Sequence, residues 1–464
     1  MKILLAKPII DTRKSVHTVH PIGLGYIASA LRKNHDVSIL DCEKLGCSAG
    51  DFSDFISRER PELIGLTAFS HNKKMVQESI SIIRDILPDA LIVLGGPHIN
   101  ARRVKVFHEF PGIDYAIWGE AERSMSLLAD AIQCKRAGSF EDIPGLIYRN
   151  VTGHIQEVAN VFAEDISQFD PMPYDLLDIR SYFRGAPHGL LARHKEVVSI
   201  ITSRGCPYPC TFCAGSINNG KKVRYRKIEN VIEEIELLTG KYGAREIHIV
   251  DDNFTFLKEY ALTLCEEIIR HGFNIDFALP NGIRLDKIDE ELLAVMRRAG
   301  FYSMSFGIES GSDETLSKIK KLETTDFIRK QTALAKKQGF IITGTFIIGF
   351  PWETRQDVKA TLRFAKSLPL DHAAFGNFIP LPATKLAEDL VRSGELREDY
   401  EVPFVFGDIT YCPLQLTASE LKRLQREGVF TFYFPYRIHN IIGNIRFYNI
   451  KYLFRRLLLL LKSK

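Results

Sequence analysis

Three thiols crowd into the run Ser203-Arg-Gly-Cys206-Pro-Tyr-Pro-Cys210-Thr-Phe-Cys213, while the other five cysteines (Cys42, Cys47, Cys134, Cys265, Cys412) are scattered along the chain. Thiolates are the usual ligands of iron–sulfur clusters. A 4Fe–4S cubane held by three cysteines keeps one iron open, and an open position lets a metal centre bind a reactant. Pro207 and Pro209 stiffen the loop and keep it from coiling into a helix. Structural zinc normally takes four ligands in two paired spacings, and no second Cys pair or Cys/His pair lies near this run. A secreted disulfide scaffold would be shorter and evenly rich in cysteine. The scattered five read as small buried hydrophobes.

A loop of this kind needs rigid elements to aim it. Strand-like runs at 197–202, 246–250, 275–279, 303–308, 341–348 and 373–379 alternate with helical patterns at 229–239, 259–270, 290–298, 326–337 and 355–367. Six β/α units in succession predict a partial (β/α)6 barrel over 196–415, and in such folds the chemistry sits on the loops that follow the strands. The thiols lie on the first of those loops. Upstream, residues 1–136 alternate apolar strands (2–6, 37–40, 63–68, 91–94, 115–118) with amphipathic helices (24–33, 75–87, 121–133). That pattern predicts a doubly wound parallel sheet whose ligand lies beyond the strand carboxyl ends. Thr67 to Ser70, Gly95-Gly96-Pro97-His98 and Gly119-Glu120 fall there, and glycines let a backbone approach a large ligand closely.

Residues 137–195 lose the rhythm and read as a linker, with a small hairpin around Asn150-Val-Thr-Gly153. Residues 416–464 read as a helical C-terminal cap. From 429 this tail holds seven Lys or Arg, nine Phe or Tyr and no acid. Such a composition suits peripheral contact with a membrane through an interfacial helix; a helix that covers the barrel with its apolar face is the favoured alternative. The chain of 464 residues has 61 basic and 57 acidic side chains, a formal charge of +4. That balance argues against a nucleic-acid partner. There is no signal-peptide pattern and no apolar run of membrane-spanning length, so a cytoplasmic location is expected, peripheral at the membrane if the tail attaches there.

The C-x3-C-x2-C spacing with an aromatic before the last cysteine resembles the radical S-adenosylmethionine (SAM) superfamily. The resemblance implies a 4Fe–4S cluster on Cys206, Cys210 and Cys213. It also implies SAM chelating the open iron, and reductive cleavage to a 5′-deoxyadenosyl radical with an electron from an external low-potential donor. It further implies SAM contacts at Phe212, whose backbone would meet adenine, and at Asp252 and Arg284 after the second and third strands. Glu309 and Ser310 would follow the fourth strand, Gly349 the fifth and Pro382 the sixth. Physically, Glu309 can accept from ribose hydroxyls and Arg284 can pair with a carboxylate.

The doubly wound half, with Pro21-Ile-Gly23-Leu-Gly-Tyr-Ile-Ala28, is similar to the cobalamin-binding class of these enzymes. This implies cobalamin near Gly23, Thr67, Ser70, Gly95, Gly96, Pro97, His98, Gly119 and Glu120. The Asp-x-His-x-x-Gly pattern that supplies a cobalt ligand elsewhere is matched here only by Thr18-Val-His20-Pro-Ile-Gly23, without the Asp that would orient the histidine. The resemblance instead implies cobalamin with no histidine on its lower face, as in many members of this class, and loss of cobalamin stays open. The class implies methylation of an unactivated carbon or of phosphorus. Radical cyclisation or rearrangement is the alternative within enzymes, and a cobalamin or cluster sensor without turnover is the alternative outside them. The substrate, whether small molecule, lipid or peptide, is not declared by any residue at the barrel mouth.

Overall fold

A computed structural model describes residues 1–9, 19–134, 140–183, 191–403, 409–435 and 437. Among these, two sheets dominate. The first holds β1 (Lys2–Lys7), β2 (Asp36–Asp41), β3 (Leu63–Thr67), β4 (Leu91–Gly95), β5 (Tyr115–Ile117), β6 (Leu146–Arg149) and β7 (Ile155–Glu157), in the order β2-β1-β3-β4-β5-β6-β7. β1 to β5 are parallel. Their residues are buried on both faces, as the continuous apolar runs require. Phe52, Val76 and Ile80 cover one face; Leu24, Leu31, Met125 and Leu128 cover the other. The order reverses at β1, which places a crevice beyond the carboxyl ends of β1 and β3.

The hairpin expected around Asn150 is present, and β6 pairs antiparallel with β5. The segment expected as a linker is therefore divided between the two cores. Ile143, Leu146 and Tyr148 join the first domain; Met172, Tyr174, Leu177, Ile179 and Tyr182 join the barrel. A hairpin motif marks a turn but does not say which sheet its strands extend, so the sequence leaves this attachment unread.

The second sheet runs β8 (Val197–Ile200), β11 (Glu246–Ile249), β12 (Asp276–Ile283), β13 (Phe301–Glu309), β14 (Ile341–Ile348) and β15 (His372–Asn377), all parallel and in this order. Between β8 and β11 lies a short antiparallel ribbon of β9 (Ser203–Arg204) and β10 (Arg224–Tyr225). β12 carries Pro280 and Gly282, and its register with β13 shifts there, as a proline inside a strand demands. The helix Ala418–Tyr433 lies against β15, where Gln425 Nε2 donates to the Phe375 carbonyl at 2.7 Å. That much of the tail covers the barrel. Residues 438–464, with the five-leucine run, lie outside the described residues. No helix among the described residues is long and apolar enough to cross a membrane.

Ser310 and Gly311 show how tightly the strand ends are held. Ser310 Oγ and Thr361 Oγ1 lie 3.2 Å apart, and Gly311 N donates to the same Thr361 hydroxyl at 3.0 Å. A Cβ on Gly311 would sit 2.5 Å from Phe364 Cβ and 2.9 Å from Thr361 Cα. Gly311→Ala is expected to cost about 1–3 kcal/mol, since backbone and not a flexible tip must yield. A lowered thermal midpoint checks this; an unchanged midpoint contradicts the packing described.

Candidate functional site

The cysteine loop leaves β9 and returns through β10. Gly205 has φ +101°, and a Cβ there would collide with the Lys222 carbonyl, so the stem closes only around glycine. Cys206 N donates to Gly220 O at 3.1 Å. Further along, Thr211 N donates to Ile319 O at 3.0 Å, and Thr211 O accepts from Leu386 N at 2.9 Å. The loop is thus tied to the segments after β13 and after β15. Burial raises the pKa of all three thiols, so a bound cation must hold them as thiolates. Gly215 N donates to Cys213 Sγ at 3.3 Å. No group of three His, Cys, Asp or Glu among the described residues converges as a single metal ion would need. Thiols spread along a loop suit a cluster in which each thiolate takes its own iron.

The sequence-identified residues beyond the strands fall into two sets. Phe212 packs edge-on against Phe350 beside Gly349. Arg284, Glu309, Lys321 and Glu323 form one buried wall next to the cysteine loop. Glu309 has φ +66° and lies 3.3 Å from Lys321 Nζ. Arg284 donates to Asp286 and to the Lys321 carbonyl, both at 2.8 Å, and its guanidinium stacks on Tyr208 with 3.8 Å to the ring centroid. Arg284 Nη2 and Glu323 Oε1 face each other as a buried ion pair at 3.5 Å, without the geometry of a hydrogen bond. Such groups call for a polar ligand or water. Pro382 is half-buried in the turn before Thr384. Asp252 and Ser310 have local duties. Asp252 accepts from Asn219 Nδ2 at 2.8 Å and from Gly205 N at 3.2 Å, which fastens the loop stem to the end of β11. Ser310 holds the turn described above.

Sequence reasoning missed Lys321, Glu323 and Glu353. Lys318-Ile-Lys320-Lys321 reads as a solvated charge run, yet Lys321 is buried. Positive φ at Lys320 and Leu322 (+55° and +60°) turns it inward, a conformation no spacing announces.

A cavity of about 460 Å³ opens where the carboxyl ends of the first sheet meet the cysteine-loop stem. Gly23, Thr67, Gly95, Gly96 and Pro97 line it, as do Gly119 and Glu120. Across from them stand Ser203, Arg204, Asn218, Asn219 and Asp252. A Cβ on Gly96 (φ +101°) would lie 2.8 Å from Thr67 Oγ1 and 2.9 Å from the Ala68 carbonyl. Ser70 and His98 do not line this cavity. Ser70 Oγ is 2.9 Å from His98 Nδ1, and His98 Nε2 is 2.6 Å from Glu109, so these side chains hold one another. His20 borders the cavity, but its ring is wedged edge-on against Tyr174 and Tyr182. Its Nε2 has no hydrogen-bond partner and essentially no free surface. Burial drops its pKa to about 3. A nitrogen so enclosed is poorly placed to ligate a metal, as the missing Asp suggested.

Residues 200–365 match the Radical SAM superfamily, and residues 8–129 match the B12 binding domain. The uncharacterized methyltransferase PH0819 of Pyrococcus horikoshii is 32% identical over 437 residues, covering 93% of this chain and 92% of that protein. Cytidylyl-2-hydroxyethylphosphonate methyltransferase of Streptomyces wedmorensis is 27% identical over 449 residues, covering 85% and 82%. The radical SAM methyltransferase TsrM from Kitasatospora setae, solved with cobalamin and a [4Fe-4S] cluster bound, has the same fold, with a TM-score of 0.72, 22% identity, and coverage of 91% of this chain and 84% of that one. This chain belongs to the radical SAM superfamily and carries a B12 binding domain ahead of its radical SAM core.

Glu353 gives a test of the site's electrostatics. One carboxylate oxygen accepts from Gly349 N at 2.7 Å and Phe350 N at 3.1 Å; the other is buried without a partner. Burial raises its pKa from 4.5 to about 7. The folded chain then keeps a proton that the unfolded chain releases above pH 4.5, so this group's contribution is lost as pH rises from there through 7. Glu353→Gln lacks that titration. Its stability relative to the parent should grow between pH 5 and pH 8, by an amount of order 2–3 kcal/mol. Urea unfolding at several pH values reads this out, and a pH-independent difference contradicts it.

Proposed function

We propose that this chain is a cobalamin-dependent radical SAM methyltransferase. In this reading Cys206, Cys210 and Cys213 hold a 4Fe–4S cluster. The wall of Arg284, Glu309, Lys321 and Glu323, with Phe212, Gly349 and Pro382, holds SAM. The cavity rimmed by Gly23, Thr67, Gly95, Gly96, Pro97 and Gly119 holds cobalamin. When bound, the cluster supplies the electron that cleaves SAM, and cobalamin supplies a methyl carrier. The chain's own residues orient these groups and keep water from them.

The observation that carries the proposal is the shared partition. Asp252 fastens the stem of the cysteine loop and also lines the cavity, so the loop and the cavity share a side chain, which supports adjacent cofactor sites. A methylation scheme needs the SAM-derived radical and the methyl carrier to reach one substrate, and adjacent sites satisfy that need. The alternating cations and carboxylates beside the loop suit a zwitterion such as the amino-acid end of SAM. A sensor without turnover has no use for such a wall. The methyltransferase names of both relatives agree with methylation over rearrangement. A low-potential electron donor is required from outside the chain, and the substrate is taken to be a small molecule.

Cys206→Ala, Cys210→Ala or Cys213→Ala should abolish the iron chromophore and 5′-deoxyadenosine formation together. Cys265 is fully buried in the barrel core and Cys265→Ala should spare both. Iron assay and product chromatography after anaerobic incubation with SAM and a low-potential reductant decide this. A Cys213→Ala chain that still cleaves SAM defeats the assignment. S-adenosylhomocysteine alongside 5′-deoxyadenosine marks methyl transfer; 5′-deoxyadenosine alone marks rearrangement.

The anaerobically purified chain is further expected to bind about one cobalamin, in the cavity beyond the first sheet. Its cob(II)alamin paramagnetic spectrum should lack nitrogen hyperfine splitting from His20. Splitting that disappears in His20→Ala overturns this, and absence of cobalamin binding removes the methylation reading.

A further inference from the structure

The base of the cysteine loop carries an electrostatic conflict. In the β9–β10 ribbon, Arg204 and Arg224 are directly opposed, immediately before and after residues 205–223. Like charges directly across an antiparallel pair repel. Both side chains are also buried, with exposures of 11% and 3%, so water does little to screen them. A ribbon of two residues per strand has too few backbone hydrogen bonds to close against such repulsion unaided.

The counter-charge comes from the other domain. Glu120 lies just past β5 of the first sheet. Its Oε1 is 3.1 Å from Arg204 Nη1, and its Oε2 is 2.7 Å from Arg224 Nη1. Oε2 also accepts from Ala163 N at 3.2 Å. Glu122 adds a second carboxylate on Arg204 at 2.7 Å. Arg224 donates to Asn219 O and Ala163 O as well, at 2.6 and 2.9 Å. The two arginines and two glutamates balance, and one carboxylate spans both ends of the loop.

We propose that Glu120 is a positioning residue for the iron–sulfur cluster, closing the stem of the cysteine loop from the neighbouring domain by bridging Arg204 and Arg224. This rests on the reading that residues 206–213 hold the cluster. It gives Glu120 a duty distinct from cofactor contact in the cavity whose wall it shares. Removing its charge leaves an excess positive charge buried at the stem; removing Arg224 as well restores the balance and leaves the Arg204–Glu122 pair intact.

The test is iron release to a ferrous chelator from the anaerobically reconstituted full chain, with the paramagnetic spectrum of the reduced cluster recorded in parallel. Glu120→Gln should release iron roughly tenfold faster than the parent and show an altered cluster spectrum, because a buried charge has lost its partner. The double variant Glu120→Gln/Arg224→Gln, which keeps the Arg204–Glu122 pair, should release iron at a rate within about twofold of the parent, since the two changes share one network and do not add. A merely structural role would make the double variant worse than the single. Parent-like release from Glu120→Gln overturns the inference, as does a double variant no slower than the single. If Glu120→Gln fails to fold by circular dichroism, the charge-balanced double variant decides alone: it must fold and retain iron, or the inference falls. A parent chain that takes up no iron, like Cys206→Ala, instead defeats the assignment of the cluster to this loop, and this inference with it.

Discussion

Parallel pairing uses up the backbone hydrogen-bonding groups of a central strand along its whole length, and side chains there are taken by the covering helices. Polar groups become available only where pairing stops. In this chain both sheets stop at the same place. The carboxyl ends of β1, β3, β4 and β5 point at a seam whose far side is the end of β8 and β11 and the stem of the cysteine loop. The cavity and the stem of the cysteine loop lie along that seam, and the buried ionic wall follows the ends of β12 and β13 beside the loop. Ser29 Oγ donates to Pro171 O at 2.8 Å, and Tyr182 OH donates to Asp41 at 2.9 Å, so the first domain holds the connecting chain by polar contacts while the segment's apolar side chains pack in the barrel core.

Such a seam is costly. Each buried ion loses several kcal/mol of hydration, and only well-formed pairing offsets it. Arg204, Arg224, Glu120 and Glu122 form a closed set with short contacts. Arg226 and Glu234 pair likewise, and Tyr174 donates to Glu234 at 2.7 Å. Apolar side chains would stabilise a domain boundary as well or better, but would not fix its register as sharply. Register matters here because Arg204 stands two residues before Cys206, and a sliding interface would carry the first thiol with it.

The architecture was legible because period and length agree. Continuous apolar runs separated by amphipathic helices allow few other folds, and the cysteine spacing singled out the first loop of the barrel. The contacts around that loop were much less legible. His98 follows Gly95-Gly96-Pro97 as a ligand residue would, yet it turns to Ser70 and Glu109, because a short helix begins at Pro97 and carries the side chain inward. Glu120 was singled out for its place at a strand end, but its partners lie 84 and 104 positions away, a pairing no local pattern encodes. Lys321 was hidden in a lysine-rich stretch that looks solvated.

Lys321 also shows why the missed residues were missable. Glu309, Lys320 and Leu322, beside the cysteine loop, adopt left-handed backbone, as does Ala383 in the turn after β15. Each such residue costs of order 1 kcal/mol and persists only where surrounding contacts insist on it. Here the insistence comes from Thr211 N bonding to the Ile319 carbonyl and Arg284 bonding to that of Lys321. Without the left-handed turns, the chain after Ile319 would continue outward and Lys321 would be solvated like its neighbours. With them, Leu322 is left 67% exposed while Lys321 and Glu323 on either side are buried. An exposed leucine between two buried charges inverts the ordinary preference of every residue involved. Local preference therefore had to fail at this segment, and the inversion places charge beside the thiols where apolar packing would have been cheaper. That is the pattern expected where a chain has been shaped to hold a polar ligand.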